Sequence, residues 1–352
     1  MGLQIGEIIS KNEIEFKDLK NKTIAVDAFN AIYQFLTTIR QPDGTPLKDS
    51  EGNVTSHLSG LFYRNMKLIL EGVKLIYVFD GEAPELKRAT RESRRVARDE
   101  SRAKYEEARD KEDIEGMGKY ARAEVYLDEK KIKESKELLE VMGIAVVQAP
   151  GEGEAQASHL VCEGKAYAVA SQDYDCLMFK APKLIQNLSL ARKRKTITGY
   201  REVFPQMIEL DGVLKELEVN QEQLICLGIL CGTDYNQGGV KGLGPKKGLK
   251  IVREFGSKEE LFEALENNEK FEKLRESSDS FDDGKLWFDW KEIYDEIAEP
   301  NVRKGVEIEF PEMDRDKIKE ILTQYEFSED RIENQLKKLD ELKKAKAQTT
   351  LF

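Results

Sequence analysis

A chain of 352 residues with 40% hydrophobic and 35% charged side chains is long enough to bury one large core or two smaller ones, and a mean hydropathy of -0.57 excludes a membrane protein. The net charge of -11 argues at first against a nucleic-acid partner, but local patches decide that question rather than the sum. His57 and His159 are the only two histidines, so a histidine-rich metal site is excluded and any metal must be held by oxygen, the preference of Mg²⁺ and Mn²⁺. Cys162, Cys176, Cys226 and Cys231 lack C-x-x-C spacing and sit mostly in apolar company, which predicts reduced core thiols. The start, MGLQIGEIISKNEIEF, has neither a long apolar run nor a basic leader, and an intracellular protein is expected.

Lys22–Val26 (KTIAV) reads as a first buried strand ending at Asp27, followed by a helix from about Asn30 to Ile39 that carries Tyr33 and closes near Arg40. Residues 41–53 are rich in Gly, Pro and Asp and predict a loop. Thr55 or Ser56 then caps an amphipathic helix through Leu58, Leu61, Phe62, Met66 and Leu70. Lys74–Phe79 (KLIYVF) is a second strand, ending at Asp80.

From Glu85 to about Arg109 the pattern changes. With about 100° per residue, Lys87, Arg91, Arg94, Arg98, Arg102, Tyr105 and Arg109 fall within one sector of roughly 80°, and the apolar residues are mostly alanine. Glu92, Asp99, Glu106 and Glu107 offer partners for a solvated, salt-bridged helix; the functional reading is a cationic face for a phosphate backbone. A second charged helical stretch runs on to Met142, so the whole insertion is long, helical and weakly apolar at its start.

Two more apolar runs follow. Ile144–Val147 leads to Glu152 and Glu154, Ala166–Ala170 leads to Asp173 and Asp175, and a helix from Glu154 to Cys162 joins them. This reads as a β-α-β unit with two acidic pairs at the carboxyl ends of neighbouring strands, the edge where open α/β sheets bind ligands. One acid after a strand is ordinarily a turn or cap residue. Four strands ending in acids are not explained that way, and carboxylates so crowded repel unless a cation sits between them.

Leu184–Phe204 alternates as a hairpin with Arg192–Lys195 (RKRK) at its turn. Asn220 caps a helix from Gln221 to Cys231, ended by Gly232, with Asp234 in the loop beyond. Then comes GGVKGLGPKKGLKIV, residues 238–252. Its glycines let backbone N–H groups approach phosphates, Pro245 suits a first helical turn, and Lys246 and Lys247 add charge there. A G-x-G turn between two helices with lysines on both sides is the helix-hairpin-helix signature for sequence-independent binding of a DNA backbone. Residues 257–340 read as a small helical lobe with Trp287, Phe288 and Trp290 packed on the core, and 341–352 as a flexible tail.

VDAFNAIYQFL, YVFDGEAPELK, APGEGEAQA, ASQDYDCL and GTDYNQGGVKGLG together resemble the motifs of the flap endonucleases, structure-specific 5′-nucleases, of the archaeal type. The likeness runs through about Val252. It implies an α/β, PIN-like nuclease core over residues 1–256 with a mostly parallel central sheet flanked by helices, a helical arch at 82–142 and a helix-hairpin-helix region at 221–254. It also implies a two-metal site using Mg²⁺, for which Mn²⁺ could substitute. Asp27, Asp80, Glu152 and Glu154 would serve one ion, and Asp173, Asp175 and Asp234 the other. By the same resemblance Lys87 and Arg94 steer the scissile phosphate and Tyr33 stacks on the displaced nucleotide. Gly2, Arg40, Arg64, Arg91, Arg98, Gly239, Lys241, Gly242, Gly244, Lys246 and Lys247 contact DNA. Gln348, Leu351 and Phe352 form part of a sliding-clamp motif. The implied activity is Mg²⁺-dependent cleavage of 5′ flaps on branched DNA during replication and repair, by a monomer. A 5′-3′ exonuclease, or a non-catalytic junction or clamp-binding scaffold, is the alternative.

Overall fold

The computed structural model describes residues 3–41, 44–110, 127–188, 193–196 and 199–349. Its strands are β1 Asn12–Glu13, β2 Thr23–Asp27, β3 Lys74–Phe79, β4 Ala145–Gln148, β5 Ala168–Ala170, β6 Lys183–Gln186, β7 Lys193–Thr196, β8 Gly199–Glu202, β9 Gln206–Glu209, β10 Phe281–Asp282 and β11 Lys285–Leu286. Seven of them form one sheet in the order β1-β9-β6-β5-β2-β3-β4. From β6 to β4 all pairings are parallel, and β9 and β1 close the other side antiparallel.

β4 and β5 are therefore not neighbours, contrary to the β-α-β reading: β2 and β3 lie between them. The helix Gly153–Cys162 crosses beneath both central strands and packs on β2, β3 and β5. Strand periodicity carries no information about such a skip, because it reports burial and not partners.

The central strands are buried on both faces, as expected for a parallel sheet covered by helices. Alternation along each strand divides the core in two. Ala25, Ile76, Val78, Val147, Val169 and Leu184 face the helices Gly153–Cys162 and Gln221–Cys231. Ile24, Val26, Leu75, Tyr77, Phe79 and Ile185 face α1 (Ala28–Thr38), α2 (Ser56–Leu70) and the helix Glu129–Val141. Asp27 caps α1 by accepting from the Asn30 N–H at 3.0 Å, so the helix starts earlier than expected. Ser56, rather than capping, donates to the Ile39 carbonyl at 2.7 Å and accepts from Leu47 N–H at 2.9 Å.

α3 spans Arg88–Asp110 in one continuous helix, about 35 Å long at the standard rise. Its base is anchored by Thr90, which is buried and donates from Oγ1 to the Asp234 carbonyl at 2.6 Å. The returning helix Glu129–Val141 is capped by Asp128 and buries Leu138 and Leu139.

Residues 257–340 do not form one lobe. The helices Lys258–Asn267 and Trp290–Ala298 join the first core half through Phe262, Leu265, Ile293 and Ile297. An irregular strap then runs from 299 to 314, with Asn301 beside Gly151 and Pro311 beside Gly143, bracketing the edge strand β4. Gln156 grips the strap, accepting from Arg303 N–H at 2.7 Å and donating to its carbonyl at 2.9 Å. Beyond it the helices Arg315–Gln324 and Glu329–Thr349 pack on the other core half through Ile318, Leu322, Ile332 and Leu336.

Four smaller readings change as well. Trp290 stacks on Phe262 at 4.3 Å and Phe288 is buried, but Trp287 is 50% exposed. Lys193–Lys195 lie in β7, paired with β8, rather than at a turn. Cys162 is exposed at a helix end whereas Cys176 and Cys226 are buried. The tail is helical as far as Thr349, because its Leu, Lys, Ala and Gln residues are helix formers unbroken by Gly or Pro.

Candidate metal centre and nucleic-acid interface

The carboxyl ends of β2, β3 and β5 open on one side of the sheet, and the N-terminus of helix Gly153–Cys162 comes up beneath them. There Glu154, Asp173 and Asp175 each offer an oxygen within 4.8 Å of the other two. Asp27 joins them through Ser171, whose hydroxyl donates to it at 3.1 Å. Asp175 is held by the buried Leu3 N–H at 2.6 Å, and Asp80 by Gly153 N–H at 2.9 Å. Asn30 links two strand ends, since its N–H serves Asp27 and its Oδ1 accepts from Gln172 N–H at 3.2 Å.

Glu152 and Asp234 stand to one side of this group, around Lys87. The ammonium reaches Glu152 Oε1 at 2.6 Å and Asp234 Oδ2 at 3.6 Å. Sequence reasoning placed Lys87 near the site but missed Tyr235, whose hydroxyl donates to the same Glu152 oxygen at 2.7 Å. It also missed Ser171, Asn30 and Thr90; their only signal was adjacency to an acid or to the basic helix.

Burial pushes the carboxyls of Glu154 and Asp175 well above their ordinary range, and the nearby Asp173 charge adds to it. Asp27 and Asp173 are raised by the same desolvation. Asp80 keeps a solvent-exposed side, yet desolvation and then Asp27 push it up to about 7. Burial opposes the charge of Lys87, but Glu152, Asp234 and Glu154 outweigh it and hold the lysine protonated. The centre thus carries more negative charge than its ammonium offsets, and all its donors are oxygen. That donor set fits hard divalent cations.

The Gly-Lys hairpin lies on the far side of Asp234. Asn220 and Gln223 form a capping box on helix Gln221–Cys231, and helix Pro245–Val252 begins with Gly244 as cap and proline in its first turn. Between them Gly239 has φ 57°, and a Cβ there would collide with the backbone of Gly232 and Leu230. Lys241, Lys246 and Lys247 are exposed beside this turn, as are Gly242 and Gly244. Lys241 is engaged by Asp279 at 2.9 Å.

Tyr33 stands 41% exposed on α1. Arg40 is turned into its own loop, donating to the carbonyls of Thr37 at 3.0 Å and Gly44 at 2.7 Å. Arg64 is half-buried on α2, where desolvation works against its charge. Gly2, Leu351 and Phe352 lie outside the described residues, as do the side chains of Arg91, Arg94, Arg98 and Gln348.

Two family models match the chain, the XPG N-terminal domain over residues 3–101 and the XPG I-region over 143–234. All seven carboxylates fall inside one or the other. Fold and centre together are those of the metal-dependent, structure-specific nucleases. Flap endonuclease 1 of Pyrococcus furiosus is 48% identical, with 100% of this chain and 98% of the relative covered. The structure of flap endonuclease-1 from Methanococcus jannaschii matches with a TM-score of 0.72 at 38% identity, covering 98% of this chain and 100% of that one. The catalytic core of Rad2 in complex with DNA substrate matches with a TM-score of 0.64 at 26% identity, covering 93% and 94%. The chain belongs to the flap endonuclease 1 family.

Proposed function

We propose that this flap nuclease cuts 5′ flaps with two Mg²⁺ ions, and that Mn²⁺ can replace them. The observation that carries the reading is the convergence of Glu154, Asp173 and Asp175 within 4.8 Å, with four further acids around them. Asp27, Asp80, Glu152 and Glu154 would hold one ion, directly or through water, and Asp173, Asp175 and Asp234 the other. Two divalent ions supply positive charge to the entering and leaving oxygens of a phosphodiester and a hydroxide nucleophile at neutral pH.

The chain's own residues do the rest. Lys87, paired with Glu152 and Asp234, exchanges those acids for the scissile phosphate when DNA enters the site, with Arg94 further along the same helix. Tyr33 is the exposed ring on which a displaced base stacks. The hairpin with Lys241, Lys246 and Lys247 holds the duplex backbone, assisted by Arg40 and Arg64. Such contacts read phosphate and shape, not bases. The Rad2 core was solved with DNA substrate, which supports DNA as the partner; that the DNA is branched, with 5′ flaps, is part of the proposal. A clamp contact through Gln348, Leu351 and Phe352, a monomeric state and an intracellular role in replication and repair complete the proposal.

Cleavage of an end-labelled double-flap DNA in Mg²⁺, wild type against Asp175→Ala, tests it. Cutting at the junction, lost in the variant while binding persists, is the expected result. Nicked DNA cut faster than the flap would favour a 5′-3′ exonuclease, and binding without cutting by either protein would point to a scaffold.

A further inference from the structure

Tyr235 figures in none of the motifs' assigned roles, yet it sits between the metal cluster and the DNA hairpin. Its hydroxyl and the Lys87 ammonium meet the same oxygen, Glu152 Oε1, at 2.7 and 2.6 Å. The ammonium also lies 5.1 Å from the centroid of the Tyr235 ring. Two donors fill the lone pairs of Oε1, which leaves Oε2 as the oxygen Glu152 can present to a cation.

The two donors differ in freedom. Lys87 ends a short turn, Glu85–Lys87, at the root of α3, and its role requires it to leave Glu152 for the substrate. Tyr235 is buried, and the backbone that carries it is fixed. Its N–H donates to Thr233 Oγ1 at 3.1 Å, and Thr233 in turn donates from N and Oγ1 to Asn236 Oδ1 at 3.0 and 2.8 Å. Asn236 Nδ2 closes the loop on the Ile229 carbonyl at 2.8 Å. Thr233 and Asn236 are wholly buried. Burial, then Glu152, pushes the phenol up, so the hydroxyl stays a donor.

We infer that Tyr235 is a positioning residue that keeps Glu152 aimed at the metal centre after Lys87 has turned to the substrate phosphate. Without the hydroxyl, Oε1 would lose its last donor at that moment, and a buried carboxylate oxygen left unsatisfied drives the side chain toward another arrangement. The inference rests on the metal centre and the role of Lys87 proposed above.

Tyr235→Phe keeps the ring and removes only the hydroxyl. Against flap DNA the single-turnover rate should fall about ten-fold or more, and the Mg²⁺ concentration for half-maximal rate should rise by a similar factor, while flap affinity measured in Ca²⁺ is unchanged. In a Glu152→Gln background the same substitution should change neither quantity, because it acts through that carboxylate. Mn²⁺ binding to DNA-free protein, followed by electron paramagnetic resonance, needs no turnover. There Lys87→Met/Tyr235→Phe should bind about ten-fold more weakly than Lys87→Met, whereas Tyr235→Phe alone costs little because Lys87 still holds Oε1. Equal Mn²⁺ affinity of the two Lys87→Met proteins would overturn the inference. So would a Tyr235→Phe effect of the same size with and without the Glu152→Gln substitution, or a fall in melting temperature and DNA affinity together, which marks a packing role. A wild type unable to cut flap DNA would instead overturn the proposed function, leaving the Mn²⁺ comparison to decide on Tyr235.

Discussion

Asp175→Asn should make the metal-free protein more stable while ending its catalysis. The oxygens of Glu154, Asp173 and Asp175 lie within 4.8 Å of one another. At that separation two unit charges repel by about 1 kcal/mol in water and about 3.5 kcal/mol at an effective dielectric constant of 20. The amide removes one charge and keeps the Oδ1 acceptor that Leu3 N–H uses at 2.6 Å. A gain of about 1–3 kcal/mol at pH 8 follows. Asp175 has its carboxyl raised in the folded state, so the wild type is most stable when that group is protonated and loses stability as pH rises through its folded value. The advantage of the variant therefore grows with pH and closes in acid. Urea denaturation in chelator at pH 5, 6.5 and 8 measures it. Added Mg²⁺ should reverse the order, since a ligand that binds only the folded state stabilises the protein able to hold it. A variant no more stable than wild type at pH 8, or equally more stable at every pH, would refute the reasoning.

Lys87→Met is expected to lower the cleavage rate by about 10²–10³ with little change in flap binding, and to lower the melting temperature in chelator, because Glu152 and Asp234 lose their counter-charge. Thr90→Val removes the 2.6 Å bond from α3 to the Asp234 carbonyl. About 1–3 kcal/mol of local stability should go with it, read as faster amide exchange at the start of α3 with core protection retained. Alanine at Lys246 or Lys247, both exposed, should weaken flap and duplex DNA alike and reduce the slope of log affinity against log salt by about 1 each.

How far the sequence reveals this molecule depends on what each signal measures. Strand ends were legible because an apolar run and the acid after it are local, and Asp27, Asp80, Asp173 and Asp175 stand where that pattern puts them. Strand order was not. Nothing local in Ala145–Gln148 says that it pairs with β3 and not with β5. Lys183–Gln186 does pair antiparallel with β9, as its alternation suggested, but nothing local says that its other edge lies parallel to β5. Helix ends were read well where the cap is a side-chain bond, as at Asn220. The start of α2 was also placed correctly, with Thr55 at the cap position, but no side chain makes the capping bond there and the Ser56 hydroxyl serves a distant carbonyl. Tyr235 stayed hidden because its partner Glu152 comes from another segment of the chain. Trp287, grouped with its aromatic neighbours by spacing, faces solvent because composition gives a residue's apolarity but not its direction.

The sheet order has a consequence for how the enzyme comes into being. The acids at the centre are drawn from Asp27 through Asp234, and Glu152 and Glu154 follow β4, which holds the far edge, at the start of the helix that packs back on β2, β3 and β5. No fragment emerging from the ribosome holds the set until the loop after Cys231 has been made and docked. On the proposed mechanism a half-built copy would lack part of the metal-binding set, and hydrolytic capacity would follow completion of the domain.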